Sequence, residues 1–346
     1  MSQKRLHYLD AIRIMAAFLV IVNHTNSFVF QSHTPATATW ILSMAWYYCS
    51  KIAVPLFVMV SGATLLQKCD SIGTVLHRVG RIVGVLVLFS YGYFVYDALL
   101  HYGLWPRLAD FSAFWQEIYP HPITDSFWYL YMYIGLLLFL PIMQKFATHA
   151  TAKEMRYVIG LCFALEVVLP FITHYLPQFA LPPYLTVTTP SVFIGLFLLG
   201  RYMSTHAKAK SIGWTAPAFL ALLALCVAIT YVESLRVSGK YWFMDDRLHP
   251  ALPTCLMAGL VFWAMKNGYP QQKRWAQEVA HCGKYAFCIY LVQDVLIAHS
   301  KTRYIMPMRG ILPDMVLVLL WEIGVFVCGF AIAWICTKLP LIRKWI

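Results

Sequence analysis

Apolar residues fall in ten runs, each close to the length of a bilayer-crossing helix, with short polar clusters between them. The runs cover roughly residues 10–30, 40–67, 78–100, 127–147, 155–176, 184–203, 213–233, 250–266, 284–300 and 315–337. A helix needs about 20 mostly apolar residues to cross the hydrocarbon core. The pattern therefore predicts an all-α, polytopic membrane bundle of about ten transmembrane helices. The eighth run is short, and the ninth carries Gln293 and Asp294. The first run is followed by no small-residue cleavage site, so it is expected to be retained. Two connections are long, 101–126 and 234–249. No repeat or soluble segment interrupts the pattern, and residues 1–346 are expected to form a single transmembrane domain.

Composition fits this reading. The chain is 60% hydrophobic and only 12% charged, against about 25% charged in soluble domains. A net charge of +12 suggests nucleic acid in a soluble protein. Here the basic residues form short clusters between apolar runs, which points to membrane orientation instead. With a cytoplasmic N-terminus and ten spans, the outer connections hold only Arg107, Arg236, Lys240, Arg247, Lys301, Arg303 and Arg309. Arg13 and Lys51 lie within runs, and the other 18 of the 27 Lys and Arg fall on the inner side. That bias predicts both termini inside. The nine cysteines include no CxxC pair, so they are expected to pack rather than to form disulfides or bind metal.

Ionisable residues inside a bilayer are costly and usually line an interior or a wet cavity. The first run, YLDAIRIMAAFLVIVNHTNS, carries Asp10, Arg13, Asn23 and His24. Eleven residues make three helical turns plus about 20°, so Arg13 and His24 share a face roughly 16 Å apart along the axis. Asp10 lies one turn from Arg13 near the same stripe. A histidine in such a place can act as a general base toward a hydroxyl; it can equally be a hydrogen-bonded packing residue, with Asp10 and Arg13 a simple interfacial pair. Ser61-Gly62 in the second run permits close helix approach. Arg78 and Arg81 lie one turn apart on one face at the start of the third run. Their guanidinium forks suit phosphate, and they also suit positive-inside anchoring. Trp128 stands with several tyrosines at an expected outer interface, where an aromatic belt is the plainer reading.

Taken in order, these segments resemble the membrane-bound acyltransferase-3 family. LDAIRIMAAFLVIVNH resembles its signature of arginine and histidine on the first helix, here Arg13 and His24. VPLFVMVSGATLL resembles its second-helix motif, Arg78 and Arg81 its RxxR pair, and FWYLYMYIGLLLFLP its Trp-centred fourth helix. VFIGLFLLGRYM and FCIYLV resemble its sixth and ninth helices. Within the family the similarity is to enterobacterial common antigen O-acetyltransferases and their relatives. Two positions depart. Many relatives have histidine where this chain has Ser126, and again where it has Gln293.

The resemblance implies an enzyme of the inner (cytoplasmic) bacterial membrane, an O-acyltransferase most simply using acetyl-CoA, with succinyl-CoA as the other donor considered. The acyl group would pass to a hydroxyl of an envelope polysaccharide, a lipid-linked saccharide or a similar acceptor. No metal and no nucleic acid are expected. In this scheme His24 is the general base or, alternatively, the nucleophile. Arg13 and Asp10 support it, and Asn23 and Ser61 are candidate oxyanion donors by their nearness to the motifs. Arg78 and Arg81, with Arg13, are expected to hold the donor's phosphates. Trp128, Ser126, Tyr241 and Trp242 are the expected acceptor contacts; Trp105 and Trp115 in the first long outer connection, like Tyr241 and Trp242 in the second, could stack on a sugar or simply anchor at the interface. A multi-pass transporter or flippase is the rival reading from another class, and a membrane sensor or scaffold is a third.

Overall fold

The computed structural model describes residues 6–102, 110–180, 182, 191–207, 211–236, 252–339 and 345. Among the described residues regular structure is helical, apart from an isolated bridge between Arg309 and Leu312. In chain order the helices are α1 (His7–Phe30), α2 (Ala38–Leu65), α3 (Ile72–Leu100), α4 (Phe111–Ile118), α5 (Asp125–His149) and α6 (Ala152–Tyr175). They continue as α7 (Val192–Thr205), α8 (Thr215–Arg236), α9 (Leu252–Gly268), α10 (Arg274–Cys282), α11 (Ala286–Ser300) and α12 (Asp314–Cys336).

Seven of these, α1, α2, α3, α5, α6, α8 and α12, are long and apolar enough to cross a membrane. The other three runs predicted from sequence are also helical but shorter. α7 has 14 residues, α9 has 17 and α11 has 15. At 1.5 Å per residue, α11 alone is about 22 Å long; a 3₁₀ turn at Gly283–Tyr285 and a π turn at Lys301–Ile305 extend it at both ends. Two helices lie outside the apolar runs. α4 sits within the connection read as a loop, starts where Asp110 accepts from the Ala113 N–H, and packs Phe114 against Tyr91 and Phe94. α10 is an amphipathic helix just ahead of α11 that the run pattern does not show.

α1 lies inside the bundle. Buried positions make up 67% of its apolar window, against 17% for α8, so α8 leaves most of its apolar surface outward, as a lipid-facing helix does. The polar residues of α1 are therefore surrounded by protein, where membrane proteins place such groups. α1 packs against α2, α9, α10, α11 and α12.

The tightest crossing is between α2 and α7. A Cβ on Gly62 would fall inside the Phe197 backbone, and one on Gly200 inside the Met59 backbone. These reciprocal glycines let the two backbones touch, the small-residue packing that joins helices in lipid. The far end of α1 is fixed by polar contacts. The Thr25 hydroxyl donates to Glu322 at 3.0 Å, and the Trp46 indole N–H donates to the other Glu322 oxygen at 2.9 Å. The Asn26 amide and Ser43 bond each other in both directions. Thr25, Asn26, Ser43 and Glu322 are buried, and a buried network with its partners supplied holds its members in one geometry.

Candidate active site

Two cavities lie along α1, one beside Arg13 and one beside His24. The first encloses about 460 Å³ and is lined by Arg13, Ser61, Arg78, Arg81, Tyr133 and Lys284 among others. The second encloses about 380 Å³ and is lined by Asn23, His24, Lys51, Ser126 and Trp128. Phe57, Tyr129 and Tyr290 line both. Their rings touch, with centroids 6.1 Å apart for Phe57 and Tyr129 and 5.7 Å for Tyr129 and Tyr290. A single layer of aromatic side chains thus separates the cationic cavity from the imidazole cavity. The helical face predicted from the Arg13–His24 spacing is the face that both cavities follow.

Each predicted residue has a definite place. Arg13 donates to Asp10 at 2.5 Å. Asp10 is buried against the chain and lines neither cavity. Arg78 donates to Asp70 at 2.5 Å, and Gln144 ties that carboxylate to the end of α2. The Gln144 side chain is fully buried; it donates to Leu65 O at 2.8 Å and accepts from the Asp70 N–H at 2.9 Å. Burial of Asp70 opposes its ionisation. The hydrogen bonds from Gln144 and Arg78 and the charges of Arg78 and Lys68 outweigh it and hold the carboxyl below the usual range. Arg81 donates its Nε to the Trp345 carbonyl at 3.1 Å. Among the described residues, neither Arg81 nor Lys284 pairs with a carboxylate.

The two candidate oxyanion donors part company. Asn23 shares the cavity of His24, and its side-chain oxygen position is buried without a partner among the described residues. Ser61 opens into the other cavity, beside the Tyr129 and Tyr133 hydroxyls. Among the described residues the His24 side chain has no hydrogen-bond partner, while its neighbours Thr25 and Asn26 are fastened to α12 and α2. The imidazole is thus presented to the cavity from a rigid base. Tyr241, Trp242 and Trp105 lie outside the described residues. Trp115 is exposed on α4 and lines neither cavity.

Ser126 and Gln293, the two positions that depart from the resemblance, meet at one carboxylate. Ser126 and Thr124 both donate to Asp294 Oδ2, Thr124 at 2.6 Å, and Gln293 donates to Oδ1 at 2.5 Å. Tyr290 adds a bond from its hydroxyl to the Ser126 carbonyl at 2.6 Å. This knot forms the wall between the His24 cavity and a third cavity of about 620 Å³, which is lined by Tyr93, Tyr96, Asp97, Glu117, Thr124, Asp294 and His299.

Sequence reasoning did not single out Lys284, Lys51, Phe57, Tyr290 or Asp294 for the site. The two lysines carry no motif. Asp294 was visible as a polar interruption of the ninth run, but its partners come from α5 and the residues before it.

Residues 6–338 match the family model described as an acyltransferase domain. The match spans nearly the whole chain, and the chain belongs to that family. No curated protein and no solved structure matches it.

Proposed function

We propose that this membrane protein of the acyltransferase family is an O-acyltransferase that takes an acetyl group from acetyl-CoA and gives it to a hydroxyl of a saccharide acceptor. The observation that carries the reading is the pair of cavities along α1, cationic on one side of the Phe57–Tyr129–Tyr290 layer and holding on the other a histidine with no hydrogen-bond partner among the described residues. A thioester of coenzyme A has a matching division. Its phosphates are strongly anionic, its pantetheine arm is long and uncharged, and the reactive carbonyl is at the far end.

In this scheme the arm runs from the cationic cavity toward the aromatic layer and brings the carbonyl to His24. His24 takes the proton of the acceptor hydroxyl as the oxygen attacks. The carbonyl carbon gains a C–O bond, the C–S bond breaks, and coenzyme A leaves as a thiol with the proton returned by the imidazolium. The Asn23 side chain is a candidate donor to the transient oxyanion, because it shares that cavity and carries an amide. Ser61, in the other cavity, is left to the donor arm. The acceptor reaches His24 from the third cavity, past Ser126 and Asp294. Carboxylates and tyrosines there offer hydroxyl acceptors and flat faces, which suit a polyhydroxylated ligand. With the ten helical segments taken as spans and the termini cytoplasmic, the donor cavity opens to the side where coenzyme A is made. The inner bacterial membrane and an envelope glycan acceptor complete the reading.

The test is thiol release from acetyl-CoA by purified protein in nanodiscs, with donor binding measured alongside. Wild type should consume acetyl-CoA, and His24→Ala should bind it without turnover. Folded wild type that neither binds nor cleaves acetyl-CoA or succinyl-CoA would overturn the reading.

A further inference from the structure

Four cations line the donor cavity, but they are not equivalent. Arg13 and Arg78 are half-buried, and each is already paired, with Asp10 and Asp70 respectively, at 2.5 Å. Each pair is close to neutral, so this inner part of the cavity carries little net charge. Arg81 and Lys284 are exposed at its rim, and among the described residues neither meets a carboxylate. Two charges of the same sign therefore remain at the rim, one from α3 and one from the start of α11. The approach of α11 to α1 is permitted by Gly283, where a Cβ would collide with the Asp10 backbone. A glycine is what lets Lys284 stand beside the first turn of α1.

We infer that Lys284 is a donor-binding residue which, with Arg81, grips the phosphates of the acyl-CoA at the cavity rim, while the Arg13–Asp10 and Arg78–Asp70 pairs form a neutral neck for the uncharged arm. The inference rests on the acyl-CoA reading above and changes its division of labour. Arg78 keeps the shape of the neck, and Lys284 takes the phosphate role that the RxxR spacing suggests for Arg78. The physical ground is charge compensation. A guanidinium already bonded to a carboxylate offers an incoming phosphate little net attraction, whereas the Lys284 ammonium, which lies 4.7 Å from the Tyr285 ring centre and meets no carboxylate among the described residues, keeps its charge and its donors for a ligand. A neutral neck also discourages the phosphates from following the arm inward, which fixes how far the thioester travels.

The plainer role for Lys284 is an interfacial anchor, and the experiment separates the two. Steady-state kinetics are measured for wild type, Lys284→Gln and Lys284→Arg with acetyl-CoA, and with S-acetylpantetheine, which has no phosphate, at concentrations high enough to support turnover. A charge-assisted hydrogen bond is worth about 1.5–3 kcal/mol, or about tenfold and upward in affinity. Lys284→Gln should raise the KM for acetyl-CoA about tenfold with kcat within about twofold, and flatten its dependence on salt. Lys284→Arg should recover most of the affinity. The kcat/KM for S-acetylpantetheine should be unchanged in both. An unchanged KM for acetyl-CoA, or equal losses with both donors, would overturn the inference and leave the acyltransferase reading standing. Failure of wild type with every acyl-CoA would remove that reading and this inference together.

Discussion

The cavities on either side of Phe57, Tyr129 and Tyr290 use polar residues in opposite ways. On the Arg13 side most of them bond one another. Arg13 is tied to Asp10, Arg78 to Asp70, and Asp70 to Gln144. On the His24 side Ser126 is bonded to Asp294 and Tyr290 to Ser126, but two groups are left open. His24 has no hydrogen-bond partner among the described residues, and the oxygen of Asn23 is buried without one. The first arrangement suits a binding channel whose shape must persist. The second suits groups that must exchange protons or hydrogen bonds with whatever enters. Satisfied polar groups stiffen a site, and unsatisfied buried ones mark where a partner is wanted.

Several changes would break or sharpen this contrast. The largest effect is expected from His24→Ala, which should lower kcat by about 10²- to 10⁴-fold and leave acetyl-CoA binding intact in a direct binding assay. Loss of binding would mean that the two cavities are not functionally separate. Next comes Arg81→Gln, which should raise the KM for acetyl-CoA about tenfold while sparing kcat, as for any lost charge-assisted contact. A fall in kcat instead would place Arg81 in the chemistry.

Asp70→Asn should act mainly on stability. The folded carboxyl sits below its ordinary value, so the folded state binds that proton less tightly than the unfolded chain does. The stabilisation is complete at neutral pH and is lost as pH falls below about 4, through the folded value. The variant should melt roughly 2–4 °C lower than wild type at pH 7, and the gap should close on acidification. A gap independent of pH would separate Asp70 from this linkage. The smallest change is expected for Ser126→Ala, a few-fold rise in the acceptor KM with hydrolysis of acetyl-CoA in the absence of acceptor unaltered. The energy at stake is that of one hydrogen bond, about 1 kcal/mol. Progress curves with and without a saccharide acceptor would read it.

Much of the frame was legible in the sequence. The apolar runs located every long helix, and the three-turn interval between Arg13 and His24 placed them on the face that the cavities follow. What remained hidden was of two kinds. Some groups signal their role only through a partner far away in the chain. Asp294 looks like an isolated acid in an apolar run, and Ser126 like one polar residue among aromatics, until one bonds the other. Other groups gave a signal with two meanings. Lys284 and Arg78 both read as inner-side cations, and only the presence of Asp70 beside one of them tells them apart. The spacing of an RxxR pair says that two guanidiniums share a face, but not which of them is already neutralised. The helices α4 and α10 escaped because both are too short and too mixed in polarity to register as apolar runs.

The bond between Thr25 and Glu322 also has a meaning in time. Its partners lie 297 residues apart. At roughly 5–20 residues per second, the ribosome needs about 15–60 s to travel from one to the other. For that interval the end of the first helix is in place without the carboxylate that fastens it. A nascent chain halted before α12 would carry His24 but lack Glu322, the group that anchors the neighbouring Thr25. The Thr25 end of α1 thus gains its bond to α12 only after α12 has been made.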